Sequence, residues 1–230
     1  MTKLKLYKYR SIDPQKNNDD KKKEIERIIS ILQGKLYFAD WRNCNDPMEG
    51  YFEFYGNSQD AQDVHQIIHD KGNLKICALS KTANDILMWS HYANGHQGVC
   101  IEIDFDNFNY SEEKDEYFID EGADSLFIKR IKYTKNIFSI LGGDYHKKVA
   151  IDILSRKIDK WKYEQEYRAF CKSERGIEKA IGKVTKVITG IRSDDKIINE
   201  IKKDSPKNII FVKAEIDFEK NKIIYNDKKK

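Results

Sequence analysis

The chain is poor in proline, glycine and cysteine. Its 230 residues include only 3 Pro and 12 Gly, a composition that excludes collagen-like and Pro-rich disordered proteins. The 4 Cys lie far apart and form no CxxC pair. We therefore predict buried thiols in a reducing cytosol, and a cytoplasmic protein, rather than a disulfide framework or a zinc site.

Long apolar runs are also absent. No stretch approaches the roughly 18 apolar residues that a membrane helix needs, and the opening residues MTKLKLYKYR lack the apolar segment of a secretory signal. At the same time 40% of the residues are hydrophobic and 35% are charged. We expect a globular protein with a buried core, a highly charged surface and no membrane association.

The net charge is only +4, but its distribution along the chain is uneven. Residues 102–124 carry 10 acidic groups and one basic group, whereas residues 125–230 carry 27 basic and 15 acidic groups. We predict an acidic, solvated loop at about 106–124, because few apolar residues there offset the entropy of ordering, and a flexible tail at 226–230. The basic segment leaves open a non-catalytic module that binds nucleic acid or another partner.

Hydrophobic periodicity predicts an α+β fold. Apolar residues alternate in GVCIEIDF (98–105) as in a strand and recur at helical spacing over about 145–161. A further strand is predicted at 164–171, and a closing hairpin around residues 219–221. The sum is a single domain over residues 1–230, with a mixed or antiparallel sheet of about eight strands and four or five helices.

The segment WSHYANGH (89–96) has the densest functional chemistry. A helix end that carries Ser90, His91 and Tyr92 can present several donors to one pocket, although packing in the core is an equally open interpretation. Ser90 and His91 diverge by about 100° on a helix, so they are not expected to hydrogen-bond each other. His91 and His96 are five residues apart, which is the wrong pitch for two metal ligands on one helical face, and we expect no metal site.

The acidic segment NDPME (45–49) adds further candidates. A metal-dependent nuclease or hydrolase that uses Asp46 and Glu49 with the two histidines stays open as an alternative. The turn Asn45-Asp46-Pro47 itself is either a structural corner, since Asn and Asp side chains bond the backbone of such turns, or part of a pocket.

The segment WKYEQEYR (161–168) places two carboxylates beside an arginine. In a strand, Glu164, Glu166 and Arg168 share one face. One interpretation is a surface ladder of ion pairs. The other is a catalytic carboxylate with Arg168 as its orienting partner.

Four blocks of the sequence resemble a bacterial family known only as domain of unknown function 2971. They are LYKYRS (6–11), GKLYFADWRNCNDPMEG (34–50), MWSHYANGHQGVCIEID (88–104) and WKYEQEYR (161–168). Their order and spacing span most of the chain. The resemblance implies membership of the family but no activity, since the activity of the family is unknown.

The order of the polar positions also resembles the ADP-ribosyltransferase fold. Arginine-type members of that fold carry an Arg on the first strand, a Ser on a middle strand and an E-x-E pair late in the chain, and the matching positions here are Arg10, Ser80 and Glu164-Gln165-Glu166. The resemblance implies an ADP-ribosyltransferase-like fold and an enzyme that transfers ADP-ribose from NAD to a protein or nucleic acid. Such an enzyme would act as a toxin or a phage-defence effector.

The resemblance implies a role for each catalytic position. Arg10 would hold a phosphate of NAD with its guanidinium, and Ser80 would position Glu166. Glu166 would stabilise the oxocarbenium-like transition state, while Glu164 would activate or orient the acceptor.

The remaining candidates are binding residues. Those assigned to NAD are Tyr9, His91, Tyr92 and Arg168, with His91 or Tyr92 against the nicotinamide. Those assigned to the acceptor substrate are Asn45, Asp46 and His96.

Overall fold

The structure, a computed structural model, describes residues 4–57, 60–106, 108–112, 116–119, 126–143, 148–180 and 182–225. Within these residues the α-helices are α1 (Asn18–Leu32), α2 (Ala61–Gly72), α3 (Ile86–Tyr92), α4 (Val149–Leu154) and α5 (Asp195–Lys203). The strands are β1 (Lys5–Arg10), β2 (Lys35–Asp40), β3 (Glu53–Tyr55), β4 (Leu74–Ser80), β5 (Val99–Asp104), β6 (Asn109–Ser111), β7 (Glu116–Ile119), β8 (Leu126–Arg130), β9 (Lys132–Thr134), β10 (Ser139–Leu141), β11 (Arg156–Ile158), β12 (Glu166–Lys172), β13 (Ile177–Ala180), β14 (Lys183–Thr189), β15 (Ile210–Asp217) and β16 (Lys222–Tyr225). Single 3₁₀ segments cover Trp41–Asn43 and Asp159–Glu164.

The α+β class is confirmed, and so is the expected number of α-helices among the described residues. The estimate of about eight strands is wrong, because the described residues contain sixteen. Several of the additional strands, such as β3, β9, β10 and β11, are only three residues long. A three-residue strand is too short to show an alternating pattern, so periodicity does not reveal it.

The chain divides into two compact units. The first unit comprises residues 1–36, 79–107 and 180–230, and the second unit comprises residues 37–78 and 108–179. The single-domain organisation over residues 1–230 stays a prediction. Each unit has its own buried core and its own cluster of buried charges.

The first unit contains a sheet with the strand order β16-β15-β14-β5-β1. Its centre is β5, which pairs antiparallel with β1 on one side and with β14 on the other. The predicted inward face of this strand is confirmed, since Val99, Ile101 and Ile103 are buried, but Cys100 and Glu102 on the opposite face are buried as well. The predicted closing hairpin is also confirmed as β15 and β16.

Glu102 is the centre of a polar cluster in the first unit. Its carboxylate accepts hydrogen bonds from Lys5 at 3.0 Å, from the Thr185 hydroxyl at 2.9 Å and from the Tyr7 hydroxyl at 3.3 Å. Burial alone would raise the pKa of Glu102, but Lys5, Thr185 and the charge of Lys186 outweigh it and lower that pKa. The cluster compensates a buried charge in the middle of a sheet.

The second unit contains the strand order β4-β12-β8-β7-β6, with β4 up to Ala78, and the part of β2 from Tyr37 onward pairs antiparallel with β4. Two short parallel pairs, β11 with β9 and β10 with β3, complete it. Apolar side chains of β4, α4 and β12 form one part of its core, and α2 packs with α4 over another; they are Leu74, Ile76, Ala150, Leu154, Phe170, Ile67, Ile140, Val149 and Ile153.

Two local predictions in the second unit are wrong. The long helix over 145–161 is the short α4 followed by strand β11, because the chain turns at Ser155 and the carbonyl of Ser155 accepts the amide of Lys132 in β9. The acidic segment 106–124 is not simply a loop, because β6 and β7 form an antiparallel hairpin next to β8. Residues 107, 113–115 and 120–124 of that segment, and the predicted tail 226–230, lie outside the described residues.

The prediction of buried thiols holds for three of the four cysteines. Cys77, Cys100 and Cys171 are buried, Cys44 is half-buried, and all four are free. In the described part of the chain, no helix has the length and apolar character required to cross a membrane.

Lys71 is buried in the core of the second unit. The residue is 5% exposed, and its ammonium lies 4.6 Å from the centroid of the Trp41 ring and donates a hydrogen bond to the carbonyl of Gly50. Gly50 has a positive φ of 67°, and a Cβ there would lie 2.8 Å from the Trp41 ring, so only glycine brings that carbonyl to the ammonium. Burial lowers the pKa of Lys71 to about 8.

Replacement of Lys71 with Met tests this burial through the pH dependence of stability. The unfolded chain has the ordinary lysine pKa, so between pH 8 and 10.5 it binds more protons than the folded chain, and the free energy of unfolding of the wild type should rise with pH. Relative to Lys71→Met, we expect a rise of about 1–2 kcal/mol between pH 7.5 and 10, measured by urea unfolding. The control Lys35→Met, on an exposed lysine, retains Lys71, so the difference in stability between the wild type and this control should not change with pH. A pH-independent difference between the wild type and Lys71→Met would contradict the assignment.

Candidate functional site

The predicted site residues belong to both units. Those in the first unit are Tyr9, Arg10, Ser80, His91, Tyr92 and His96; those in the second unit are Asn45, Asp46, Glu164, Glu166 and Arg168. Convergence of the two sets on one site stays a prediction.

Two strand residues of the first set, Tyr9 and Ser80, are engaged with the backbone of the turn that follows β4. The Tyr9 hydroxyl donates to the carbonyl of Thr82 at 3.0 Å. The centroids of the Tyr9 and Trp89 rings lie 5.4 Å apart in a T-shaped arrangement. The Ser80 hydroxyl also donates to the Thr82 carbonyl and accepts the Thr82 amide, both at 3.1 Å. Ser80 is 2% exposed, so its hydroxyl in this arrangement caps a turn.

The segment 89–96 mixes core and surface residues. Trp89 is fully buried, and its indole nitrogen donates to the carbonyl of Ala83 at 2.8 Å, which confirms the core interpretation for this residue. His91 is exposed, and the centroid of its ring lies 6.3 Å from that of the Tyr92 ring. The imidazole of His96 stacks parallel to Trp89.

Ser90 contacts His96 rather than its neighbour His91. The Ser90 hydroxyl lies 3.2 Å from Nε2 of His96 and donates to the carbonyl of Ile86 at 2.9 Å. A hydroxyl has one proton to donate. Because the Ser90 hydroxyl donates that proton in its hydrogen bond to the Ile86 carbonyl, Nε2–H of His96 donates to the serine oxygen. Nδ1 of His96 is buried without a hydrogen-bond partner among the described residues, and the unprotonated form of that nitrogen is the less costly one to bury. The pair is therefore oriented as a structural contact and not as an activated nucleophile.

The Asn45-Asp46-Pro47 turn in the second unit is ordered as predicted. The Asp46 carboxylate accepts the amide of Met48 at 2.9 Å, and the Asp46 carbonyl accepts the amide of Glu49 at 3.0 Å. Asp46 is 4% exposed. The turn delivers the side chain of Glu49 into the interior.

Buried charges of alternating sign form a chain of five residues in the second unit, here called the ionic chain. Arg168 forms a two-pronged pair with Glu49, with both distances at 2.6 Å, and a second pair with Glu166 at 2.5 and 3.2 Å. Lys157 continues the chain, 2.8 Å from Glu166 and 2.6 Å from Glu164. The order is therefore Glu49, Arg168, Glu166, Lys157 and Glu164.

The ionic chain corrects the prediction of a surface ladder. Arg168 is fully buried and Glu164 and Glu166 are only 4% and 3% exposed. Glu164 ends a 3₁₀ segment instead of starting the strand, and Gln165 adopts a left-handed conformation with φ of 43°. The predicted contact between Glu166 and Arg168 is present.

Electrostatic forces favour the charged forms of Glu166, Lys157 and Arg168. Burial alone would raise the pKa of Glu166, but the charges of Arg168 and Lys157 outweigh it and lower that pKa to about 2. The same carboxylate raises the pKa of Lys157 against the effect of burial. The backbone amide of Glu166 donates to the Tyr133 hydroxyl at 2.8 Å, and burial raises the pKa of Tyr133 to about 12.

A shallow open cleft lies beside the ionic chain in the second unit, with about 360 Å³ of empty space that includes the open solvent above it. Its ionic and polar lining includes Asp46, Thr134, Asn136, Arg156 and Lys157. Its apolar and aromatic lining includes Met48, Tyr51, Phe138 and Ile153. A lining that includes both kinds of residue suits a ligand with charged groups and a flat or apolar group.

Arg156 is the cation of this cleft that the protein leaves without a counter-charge. Its guanidinium lies 4.1 Å from the centroid of the Phe138 ring. Within the described residues it makes no ion pair, and its buried Nε has no hydrogen-bond partner. Sequence reasoning missed Arg156 and Lys157 because the predicted helix over 145–161 hid the strand on which they lie.

Metal-ligand groups were also sought. Among the described residues, no cluster of three or more His, Cys, Asp or Glu side chains has the geometry to hold a metal ion. Of the residues in the metal-hydrolase alternative, Glu49 uses both carboxylate oxygens to bind Arg168.

Comparison with known proteins gives one match. Residues 88–169 match the sequence profile of a family described as Protein of unknown function (DUF2971). This confirms the first resemblance, and two of its four blocks lie within the matched segment. Neither the curated proteins nor the solved structures include a match to the chain.

Replacement of Arg168 with Met tests the energetic role of the ionic chain. The change leaves Glu49 without its cation and Glu166 with Lys157 alone, and breaking a buried pair in this way costs roughly 3–5 kcal/mol. We expect a loss of that size in the free energy of unfolding at pH 7, measured with urea. The control Lys172→Met, at an exposed position of the same strand, should change stability by no more than about 0.5 kcal/mol.

The acid limb of the same measurement tests the sign of the Glu166 effect. The folded-state pKa of about 2 lies below the ordinary value of 4.5, so the stabilisation is complete above pH 4.5 and is lost as the pH falls toward 2. The wild type should lose stability over this range more steeply than Arg168→Met. Parallel curves would show that Glu166 is not held by Arg168.

Proposed function

We propose that this chain, which belongs to the DUF2971 family through residues 88–169, binds a phosphate-bearing ligand in the cleft of its second unit. The observation that carries the proposal is the half-buried guanidinium of Arg156, which lines the cleft and has no carboxylate partner in the described part of the chain. The two cations of the ionic chain, Arg168 and Lys157, are both paired with carboxylates.

An unpaired, partly buried charge is costly unless another group compensates it. The guanidinium carbon lies 4.1 Å from the centroid of the Phe138 ring, and in this proposal the terminal N–H groups meet the ligand. The fork of N–H donors in arginine matches the oxygens of a phosphate. A phosphate in the cleft would supply the missing counter-charge.

Lys157 is already neutralised within the protein, which supports the assignment of Arg156 as the ligand-binding cation. It lines the same cleft, but its ammonium is held between Glu164 and Glu166 at 2.6 and 2.8 Å. The carboxylates therefore neutralise Lys157 and fix it in place. Arg156, which precedes Lys157 on β11, remains as the cation that meets the ligand.

The reaction that follows binding in this proposal is transfer of ADP-ribose from NAD to an acceptor protein or nucleic acid. Glu164 and Glu166 both form salt bridges with Lys157, which lines the cleft. This proximity supports a role for the carboxylate pair beside bound NAD. In the ionic chain, Glu166 is fully engaged by Lys157 and Arg168. Transfer through Glu166 therefore requires that it exchange one of these pairings for a hydroxyl of the substrate.

Replacement of Arg156 with Gln tests ligand binding. Loss of a charge-assisted hydrogen bond of roughly 1.5–3 kcal/mol should weaken the binding of ADP-ribose and of inorganic phosphate about 10- to 100-fold, measured by isothermal titration calorimetry. Wild-type binding should weaken between 50 and 200 mM NaCl.

The matched control is Arg175→Gln, at an exposed arginine of the same unit, and it should bind both ligands as the wild type does. Equal affinity of the wild type and Arg156→Gln for both ligands would remove Arg156 from the site. Absence of binding by the folded wild type would overturn the proposed function.

A second experiment tests the transfer reaction. Nicotinamide release from NAD is measured for the wild type, Glu166→Gln and Glu49→Gln. Each variant removes the charge of one of the two carboxylates that bind Arg168. Glu166→Gln also removes the charge of one of the two carboxylates that bind Lys157, and only Glu166 has a proposed catalytic role. We expect release to fall at least 100-fold more in Glu166→Gln, with both variants first shown to be folded by circular dichroism. Equal losses would exclude a catalytic role for Glu166.

A further inference from the structure

Asp46 is the one acidic side chain among the described residues that line the cleft. The residue is 4% exposed, and one of its carboxylate oxygens accepts the amide of Met48. It forms no ion pair with any described residue. The carboxylate has up to four acceptor positions, so the backbone of the turn uses only part of its capacity.

A carboxylate in a phosphate-binding cleft is unfavourable if the ligand is phosphate alone, because like charges repel. The same carboxylate is favourable if the ligand also carries hydroxyl groups, since hydroxyls are donors and a carboxylate only accepts. Asp46 and Arg156 together therefore fit a molecule that has hydroxyls and a phosphate. Sugar phosphates have both groups.

The apolar lining adds a third requirement. Tyr51 lines the cleft and is 54% exposed, and its backbone amide is fixed by a 3.0 Å hydrogen bond to the carbonyl of Met48. An exposed aromatic ring held beside a cleft is a stacking surface for a nucleobase. Base, sugar hydroxyl and phosphate would then each have a partner on the same turn or on β11.

We infer that the ligand is a ribonucleotide and that Asp46 is a specificity-determining residue that accepts a ribose hydroxyl. This inference rests on the proposed function, because it assumes that the cleft binds phosphate through Arg156. It gives the Asn45-Asp46-Pro47 turn a second role. The same carboxylate that closes the turn would accept the hydroxyl of the ligand.

The test is a comparison of AMP, 2′-deoxy-AMP, 3′-deoxy-AMP and inorganic phosphate by calorimetric titration. The wild type should bind AMP at least 10-fold more tightly than one of the two deoxy forms, as expected for a lost hydrogen bond to a charged acceptor. In Asp46→Asn the amide oxygen still closes the turn, but the charge is gone. The preference for AMP should shrink to about threefold or less, while inorganic phosphate should bind several-fold more tightly because the repulsion is removed.

The outcomes separate this inference from the proposed function. Equal binding of AMP and both deoxy forms, with Arg156→Gln still weakening all of them, would overturn the role of Asp46 and leave the phosphate site standing. An unchanged AMP preference in a folded Asp46→Asn would likewise overturn it. Failure of the wild type to bind any of the four ligands would overturn both.

Discussion

The second unit depends on one fully buried guanidinium. Arg168 binds Glu49, which is 119 residues away along the chain, and Glu166, which is two residues away on the same strand. It also donates to the carbonyl of Leu154 at 2.6 Å, at the end of α4. A charge buried this deeply is tolerated only when all of its donors are satisfied. The turn before β3, helix α4 and strand β12 must therefore be in place together.

Much of this local chemistry could be predicted from the sequence. The pairing of Glu166 with Arg168 follows from the two-residue repeat of a strand, and the turn at Asp46 follows from the turn preferences of Asn, Asp and Pro. Burial of Trp89 follows from its size and helical spacing. Each of these features is set by residues within a few positions of one another, and that is why a pattern reveals it.

The features that the sequence did not predict depend on distant or irregular geometry. Glu49 meets Arg168 only after the chain has folded. Lys157 and Arg156 were placed on a helix because Ile153 and Ile158 keep apolar spacing across the point where the chain changes to a strand. Ser90 reaches His96 because His96 takes a left-handed conformation, with φ of 71°, which returns the chain toward the helix. Without that conformation, a six-residue separation gives no reason to expect contact.

The interleaving of the two units has a consequence for how pieces of this protein behave. The segment that matches the family profile, residues 88–169, takes its first twenty residues from the first unit and the rest from the second. A peptide cut to those limits would retain Arg168 but not Glu49, and would leave β5 without its neighbours β1 and β14. The stretch that sequence comparison recognises is therefore not an autonomous folding module. A truncated form of this protein for expression should follow the three-dimensional units and keep the preceding NDPME segment (45–49) attached.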